Sequence, residues 1–265
     1  MELERARADV MAIFQDVLRA LEPSGLVQKS MTFDGRVVTA GDTHYDVPAD
    51  GRVVVLGVGK SAVGMARGAE AVFGDRLSEG LVVTKRGLGG EQTGLRHTRV
   101  LEASHPVPDE SSVDAGNELL QRAAALEQGD LAIVVISGGG SALIEAPIDG
   151  ISLDDFKRTT SELLTAGADI SMLNAVRRRL SRIKAGGLAR AIAPATVINL
   201  ILSDVLGNPL DVIASGPTVP SEVNDRQRID QLRTLDVWQA LPERVRRALE
   251  RDAPSEPATN VITSV

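Results

Sequence analysis

The stretch Val134-Val-Ile-Ser-Gly-Gly-Gly-Ser-Ala-Leu143 is an apolar run that ends in three consecutive glycines, with a serine on each side of them. The apolar part is typical of a buried strand, and the small residues after it can begin a helix. Glycines at such a junction let backbone N–H groups approach an anion, because no Cβ stands in the way. A tight strand-to-helix turn without a ligand is the alternative. The stretch predicts an anion site whose members are Ser137, Gly138, Gly139, Gly140 and Ser141.

Strands and helices alternate along the rest of the chain in the same way. Predicted strands occupy residues 53–58, 81–84, 100–103, 131–137 and 196–203, with helical patterns between them. This alternation predicts an α/β fold with a doubly wound, mostly parallel sheet and helices on both of its faces. Neither internal repeats nor a low-complexity linker divides the chain, so we expect a single domain over residues 1–265.

The composition limits the possible functions. Apolar residues make up 43% of the 265 residues and aromatic residues only 2%, so the core must be built mainly from aliphatic side chains. A net charge of −7 argues against nucleic-acid or membrane-surface partners. The absence of cysteine excludes disulfides, thiolate metal sites and a cysteine nucleophile. The charged N-terminus has no apolar signal segment, and we expect a cytoplasmic location.

A second glycine-rich turn, Gly57-Val-Gly-Lys-Ser61, follows the first predicted strand of the sheet. It is not a Walker A loop, and it fits a dinucleotide fingerprint only loosely, since Gly64 comes too late after Gly57 and Gly59. Lys60 stands at the start of a helix, where the helix dipole disfavours a cation. An anionic ligand on Lys60 would offset that cost, and a solvated surface lysine is the alternative.

A stiff segment, His105-Pro-Val-Pro-Asp109, follows the predicted strand 100–103. Its two prolines fix the backbone and hold the neighbouring residues extended. His105 or Asp109 can then face a substrate. The alternative is a rigid connector in which Asp109 caps the next helix.

The predicted helix 171–183, with Ser171 as its N-cap, is rich in basic residues. Asn174 and Arg177 share one helix face, and Lys184 follows at the helix exit. A basic helix is commonly a solvated surface. Beside an anion-binding loop in an acidic protein, Arg177 or Lys184 can instead act as an anion clamp.

Asp204 lies just beyond the predicted strand 196–203. A carboxylate at the carboxyl end of a strand can hold a magnesium ion or accept a proton, and an Asx turn is the alternative. Four unusual segments thus follow predicted strands, and in a parallel sheet all of them reach one edge. We therefore predict a single active site formed by residues 57–61, 103–109, 137–141 and 203–208.

In their order along the chain, these motifs resemble the glycerate 2-kinase family, the ATP-dependent enzymes often mislabelled hydroxypyruvate reductase. The matching motifs are Gly57-Val-Gly-Lys-Ser61, His105-Pro-Val-Pro-Asp109, Ser137-Gly-Gly-Gly-Ser-Ala-Leu143, Asn174 to Lys184, Leu202-Ser-Asp-Val205 and Ala214-Ser-Gly-Pro-Thr218. The resemblance implies transfer of a phosphoryl group from ATP to D-glycerate, with magnesium, to give 2-phosphoglycerate. It also implies a Rossmann-like N-terminal domain and a separate C-terminal domain, with the active cleft between them. The family's catalytic lysine corresponds to Lys60.

Under this resemblance, Lys60 would stabilise charge on the transferring group or orient the carboxylate of glycerate, and Asp204 would hold magnesium or accept the hydroxyl proton. The family usually has Gly at the position of Ala185 and Asp at that of Asn208. The last residues resemble the opening of the family's next domain, so we expect the C-terminal domain to be absent. Residues 1–265 alone should then have little kinase activity, and a homodimer is compatible with the sequence.

Three other functions fit parts of the sequence. An NAD(P)-dependent hydroxypyruvate reductase would need the complete dinucleotide fingerprint that residues 57–64 lack. A phosphosugar isomerase-like domain would share the Gly-Lys-Ser turn and the serine-rich loops but not the later motifs. A non-catalytic anion- or nucleotide-binding module would fit a chain without the C-terminal domain. At the level of sequence, either glycine-rich loop can take ATP and the other glycerate.

Overall fold

The computed structural model describes residues 2–90, 93–220, 225–251 and 260–264. Near its start, two helices precede a small antiparallel sheet; these elements are α1 (Glu2–Ala20), α2 (Pro23–Ser30), β1 (Met31–Phe33), β2 (Val37–Ala40) and β3 (Thr43–Asp46). Within the described ranges, no helix combines the length and the apolar character needed to span a membrane.

The main sheet in the described residues is formed by β4 (Val53–Val58), β5 (Leu77–Lys85), β6 (Thr98–Ala103), β7 (Leu131–Ser137), β8 (Thr196–Leu202) and β9 (Val261–Ser264). Their spatial order is β6-β5-β4-β7-β8-β9, and every neighbouring pair is parallel. This is the strand order of a Rossmann fold. The predicted parallel sheet is confirmed, and the four predicted loops follow the carboxyl ends of β4, β6, β7 and β8 at one edge. The switch point, where chain order reverses, lies between β4 and β7.

Helices cover both faces of this sheet, as predicted. The remaining helices are α3 (Ala62–Phe73), α4 (Glu110–Ala123), α5 (Gly140–Leu143), α6 (Leu153–Thr165), α7 (Ile170–Arg179), α8 (Gly187–Ile192), α9 (Asp225–Leu232), α10 (Val237–Ala240) and α11 (Glu243–Glu250). Alternate residues of β4 point to opposite faces. Val53 and Val55 join the apolar cluster under α2 and α3, whereas Val54 and Leu56 join the cluster under α4 and α8.

A third apolar cluster belongs to α6, α7, α9, α10 and α11, which we call the helical lobe. Its buried side chains include Phe156, Leu173, Trp238 and Leu249. The lobe therefore has a core of its own beside the two clusters of the sheet.

Two predicted N-caps have different outcomes. Asp109 caps α4 as predicted, since its side chain accepts the N–H of Ser111. The prediction of Ser171 as the N-cap of α7 was wrong. That cap is Asp169, whose side chain accepts the N–H of Met172, and Ser171 lies in the first turn of the helix.

Helix α7 also ends earlier than predicted, at Arg179. The following backbone pairs with another segment instead of continuing the helix. The N–H of Arg182 donates to the carbonyl of Ala146, and the N–H of Ile148 donates to the carbonyl of Leu180. This pairing turns the residues up to Lys184 back towards the sheet.

Candidate active site

The loops that follow β4 and β7 are joined to each other at the switch point. The N–H of Lys60 donates to the carbonyl of Gly138, and the N–H of Ser61 donates to the hydroxyl of Ser137, both at 3.0 Å. A Cβ on Gly59 would lie 2.1 Å from that hydroxyl oxygen, and Gly59 has a φ of +133°. Only glycine permits this approach, which packs the two loops directly against each other.

Three of the glycines predicted to bind a ligand are required by packing. Gly59 is one of them. A Cβ on Gly57 would lie 2.2 Å from the side chain of Val135 on the neighbouring strand. A Cβ on Gly140 would lie 2.6 Å from the Cβ of Ala214. In the structure Gly57, Gly59 and Gly140 are buried beneath the site, whereas Gly138 and Gly139 are partly exposed at its surface.

Side chains from three strand ends meet at Gly138 and Gly139. A Cβ on Gly139 would lie 3.2 Å from the imidazole of His105 and 3.3 Å from Cε of Lys60. A Cβ on Gly138 would lie 2.1 Å from a carboxylate oxygen of Asp204. The structure thus brings together the predicted lysine, histidine and aspartate on two adjacent glycines. Lys60 and Asp204 are both exposed, so a ligand can reach them.

Burial and the local charge favour the neutral form of His105. Burial lowers the pKa of His105, and the positive charges of Lys60 and Lys85 lower it further. A neutral imidazole can donate one hydrogen bond and accept another. Lys85 ends β5 and brings a second cation to the site, which sequence reasoning missed. The signal was present, since two basic residues, Lys85 and Arg86, come directly at a strand end.

Asp109 has a structural role. Besides capping α4, its carboxylate binds the guanidinium of Arg86 at 2.8 Å. The serine hydrogen bond, with a smaller contribution from Arg86, lowers the pKa of this carboxyl group. The alternative interpretation of the 105–109 segment is therefore right for Asp109, whereas His105 faces the site.

A cleft of 160 Å³ opens beside His105, between the glycine-rich loop and the helical lobe. The loop contributes Gly139, Ser141 and Ala142 to its lining, and the lobe contributes Phe156 and Arg177. The hydroxyl of Ser141 lies 2.8 Å from that of Ser215. The cleft thus combines hydroxyl groups and a cation with an aromatic wall.

Arg177 is the cation of this cleft. Its Nε is buried and has no hydrogen-bond partner among the residues that the structure describes. Burial lowers the pKa of Arg177, and the nearby carboxylate of Glu145 partly offsets this. Asn174 lies one turn earlier on α7, is half-buried and does not line the cleft.

Lys184 is not in the cleft. Its ammonium group binds the carboxylate of Glu145 at 2.7 Å and donates to the carbonyl of Ile144 at 3.1 Å. Both charged side chains are buried, with exposed fractions of 1% for Lys184 and 0% for Glu145. The pairing that ends α7 early carries Lys184 inward, so the structure places this predicted ligand-binding residue in a structural ion pair. Glu145 was missed, although a lone acid in the apolar segment 142–148 was a signal.

The fold and this gathering of charged side chains define an α/β protein with a charged site at the carboxyl ends of its parallel strands. The chain belongs to the family described as "Domain of unknown function (DUF4147)", whose model matches residues 9–250. It is 40% identical over 244 residues to the glycerate 2-kinase of Pyrococcus horikoshii, and this match covers 91% of the chain and 53% of that relative. The predicted resemblance to glycerate 2-kinases is confirmed.

Solved structures agree with this family relationship. A crystal structure of a Pyrococcus horikoshii protein matches with a TM-score of 0.82 and 38% identity, over 93% of this chain and 55% of that one. The crystal structure of glycerate kinase from Thermotoga maritima matches with a TM-score of 0.71 and 37% identity, over 81% and 51%. The chain therefore spans about half the length of these relatives.

Proposed function

We propose that this chain carries the phosphoryl-transfer loops of a glycerate kinase, and that the complete enzyme converts D-glycerate and ATP into 2-phosphoglycerate. The observation that carries the proposal is the meeting of Lys60, His105 and Asp204 at Gly138 and Gly139. The similarity to glycerate kinases of two organisms supports it.

Phosphoryl transfer needs positioning and charge neutralisation more than covalent chemistry. Lys60 supplies an exposed positive charge beside the glycines, and Lys85 adds a second one near His105. Asp204, on the neighbouring glycine, can accept the proton of the attacking hydroxyl. The imidazole of His105 can orient that hydroxyl through a hydrogen bond.

Magnesium fits this arrangement through a single protein ligand. In the described ranges, no three His, Cys, Asp or Glu side chains are grouped so that they could hold a metal ion. Magnesium in kinase sites is commonly held by one or two carboxylates together with substrate phosphates. Asp204, as a single exposed carboxylate, suits that mode, and the ion would neutralise phosphate charge when bound with ATP.

A dinucleotide-dependent reductase fits the turn after β4 less well. In dinucleotide-binding proteins, this turn presents free N–H groups to the pyrophosphate. Here the N–H groups of Lys60 and Ser61 already donate to the loop after β7. The kinase is therefore the better-supported function.

The test is a chimera in which residues 1–265 replace the matching half of the Pyrococcus horikoshii glycerate 2-kinase. A coupled assay measures 2-phosphoglycerate from ATP and D-glycerate. Lys60→Met should reduce kcat by roughly 100-fold or more, since a preorganised charge on the transition state is lost. Lys29→Met, an exposed lysine on α2, is the matched control and should leave kcat unchanged. NADH oxidation with hydroxypyruvate, without phosphoglycerate formation, would contradict the proposal.

A further inference from the structure

The cleft beside His105 has a size, a charge and a position that together select one substrate. We propose that it binds the small carboxylic acid substrate, with the carboxylate on Arg177, and that ATP approaches Lys60 from outside the cleft. This inference rests on the proposed function and assigns the acid, rather than the nucleotide, to this site.

The size of the cleft favours a small ligand over a nucleotide. Pockets for drug-sized ligands, a class that includes adenine nucleotides, enclose about 300–1,000 Å³. This cleft measures 160 Å³, about half of the lower end of that range. A three-carbon acid suits such a volume better than a nucleoside triphosphate does.

The charge of the cleft selects a carboxylate. The buried Nε of Arg177 has no hydrogen-bond partner in the described part of the chain. A guanidinium group binds a carboxylate through two parallel hydrogen bonds, and partial burial strengthens that pair. Glu145 does not take this place, because its carboxylate binds Lys184 at 2.7 Å. A bound substrate carboxylate would therefore satisfy Arg177.

The remaining lining suits a short hydroxylated chain. Ser141 and the imidazole of His105 can hydrogen-bond hydroxyl groups, while the ring of Phe156 can cover the carbon atoms. His105 and Lys60 both border Gly139. An acid held at Arg177 would thus point its hydroxyl end towards Lys60, where the phosphoryl group arrives.

The experiment measures ligand binding to the 265-residue chain by isothermal titration calorimetry, with D-glycerate, glycerol and ADP as probes. We expect D-glycerate to bind and glycerol not to bind, since glycerol lacks the carboxylate. Arg177→Gln should weaken D-glycerate binding at least tenfold and change ADP affinity less than twofold. Arg158→Gln, an exposed arginine on α6 of the same lobe, is the matched control and should change neither affinity.

A second variant tests the location without touching the charge. Ala142→Leu places a larger side chain in the cleft and should also abolish D-glycerate binding while sparing ADP. Circular dichroism identifies a variant that fails to fold. If one of the two variants is unfolded, the D-glycerate and ADP affinities of the other one test the inference.

Three outcomes would overturn the inference. The first is unchanged D-glycerate affinity in both variants, and the second is loss of ADP binding in Arg177→Gln with D-glycerate binding retained. The third is no D-glycerate binding to the unsubstituted chain, because every lining residue belongs to it. In each case the kinase proposal is judged separately by the 2-phosphoglycerate assay on the chimera.

Discussion

At the scale of single residues, the environment of His105 makes the stability of the fold depend on pH. Burial and the charges of Lys60 and Lys85 hold its pKa below 6.5, its ordinary value. The folded chain therefore binds this proton less tightly than the unfolded chain. By linkage, this group lowers the free energy of unfolding as the pH falls below about 6.5.

We predict that Lys60→Met raises the pKa of His105 towards its ordinary value. The pKa should stay below that value, because burial is the larger cause and Lys85 remains. An NMR titration of the imidazole resonances measures the shift, and His105→Gln assigns the resonance by its disappearance. An unchanged pKa would show that the ammonium group of Lys60 does not lie beside this imidazole in solution.

Alanine at position 185 lowers the stability of the fold. Ala185 has a φ of +48°, in the left-handed region that favours glycine. This conformation costs a residue with a Cβ about 1–2 kcal/mol, while glycine adds about 0.4–1 kcal/mol of conformational entropy to the unfolded chain. Asn208 has a φ of +50°, a conformation that asparagine tolerates better.

We therefore predict that Ala185→Gly raises the free energy of unfolding by about 0.5–1 kcal/mol, the net of these two effects. Urea denaturation measures the difference. Ala175→Gly, in the middle of α7, should have the opposite sign, because glycine destabilises a helix interior. A loss of stability in Ala185→Gly would show that its Cβ packing outweighs the backbone strain.

At the scale of elements, the sequence predicted the strands well, because buried parallel strands have unbroken apolar runs. Strand β7 lies where it was predicted, at Leu131–Ser137. Strand β5 begins at Leu77, four residues before the predicted start, because Ser78, Glu79 and Gly80 interrupt its apolar pattern. Pairing with a distant strand holds these residues extended, and no local pattern reveals such pairing.

The candidate site was predictable only in part, for the same reason. Strand-end positions identified Lys60, His105 and Asp204, since parallel strands bring their carboxyl ends to one edge. The partner of Lys184 was not predictable, because Glu145 lies 39 residues earlier in the chain and meets it only through the fold. A local sequence pattern indicates which residues carry charge but not which charges neutralise one another.

Substitutions of two glycines in the loops after β4 and β7 should have different effects on activity and stability. In Gly138→Ala, the new Cβ meets the carboxylate of Asp204, an exposed side chain that can move away. We expect kcat of the chimera to fall at least tenfold with a change in Tm of less than about 2 °C. In Gly59→Ala, the new Cβ meets the backbone of Ser137, and residue 59 has a positive φ. We expect the free energy of unfolding to fall by more than about 2 kcal/mol.

Thermal denaturation and the coupled kinase assay, performed on the same chimera, separate these two effects. Gly35→Ala serves as a control for positive φ alone, since no atom lies within 4 Å of its added Cβ. Equal losses of Tm in Gly138→Ala and Gly59→Ala would mean that Asp204 is held rigidly and supports the fold.

At the scale of the whole molecule, α1 carries apolar side chains that nothing in the described structure covers. Val10, Ile13, Phe14, Val17 and Leu18 are between 47% and 64% exposed. A contiguous exposed apolar stripe of this kind commonly marks an interaction surface. The chain spans about half the length of its relatives, so protein outside these residues can supply both a cover for this surface and further catalytic groups.

We predict that residues 1–265 alone form little or no 2-phosphoglycerate, although they bind D-glycerate. The cleft and its arginine belong to this chain, whereas Lys60 and Asp204 are exposed in the described structure, so that water can reach the transferring group. Adding the remaining half of the Pyrococcus horikoshii glycerate 2-kinase in trans should restore turnover, with a rate that saturates as its concentration rises. The coupled assay measures this rate, and an equal concentration of albumin controls for crowding. Full turnover by residues 1–265 alone would show that both substrates and all catalytic groups lie within this chain.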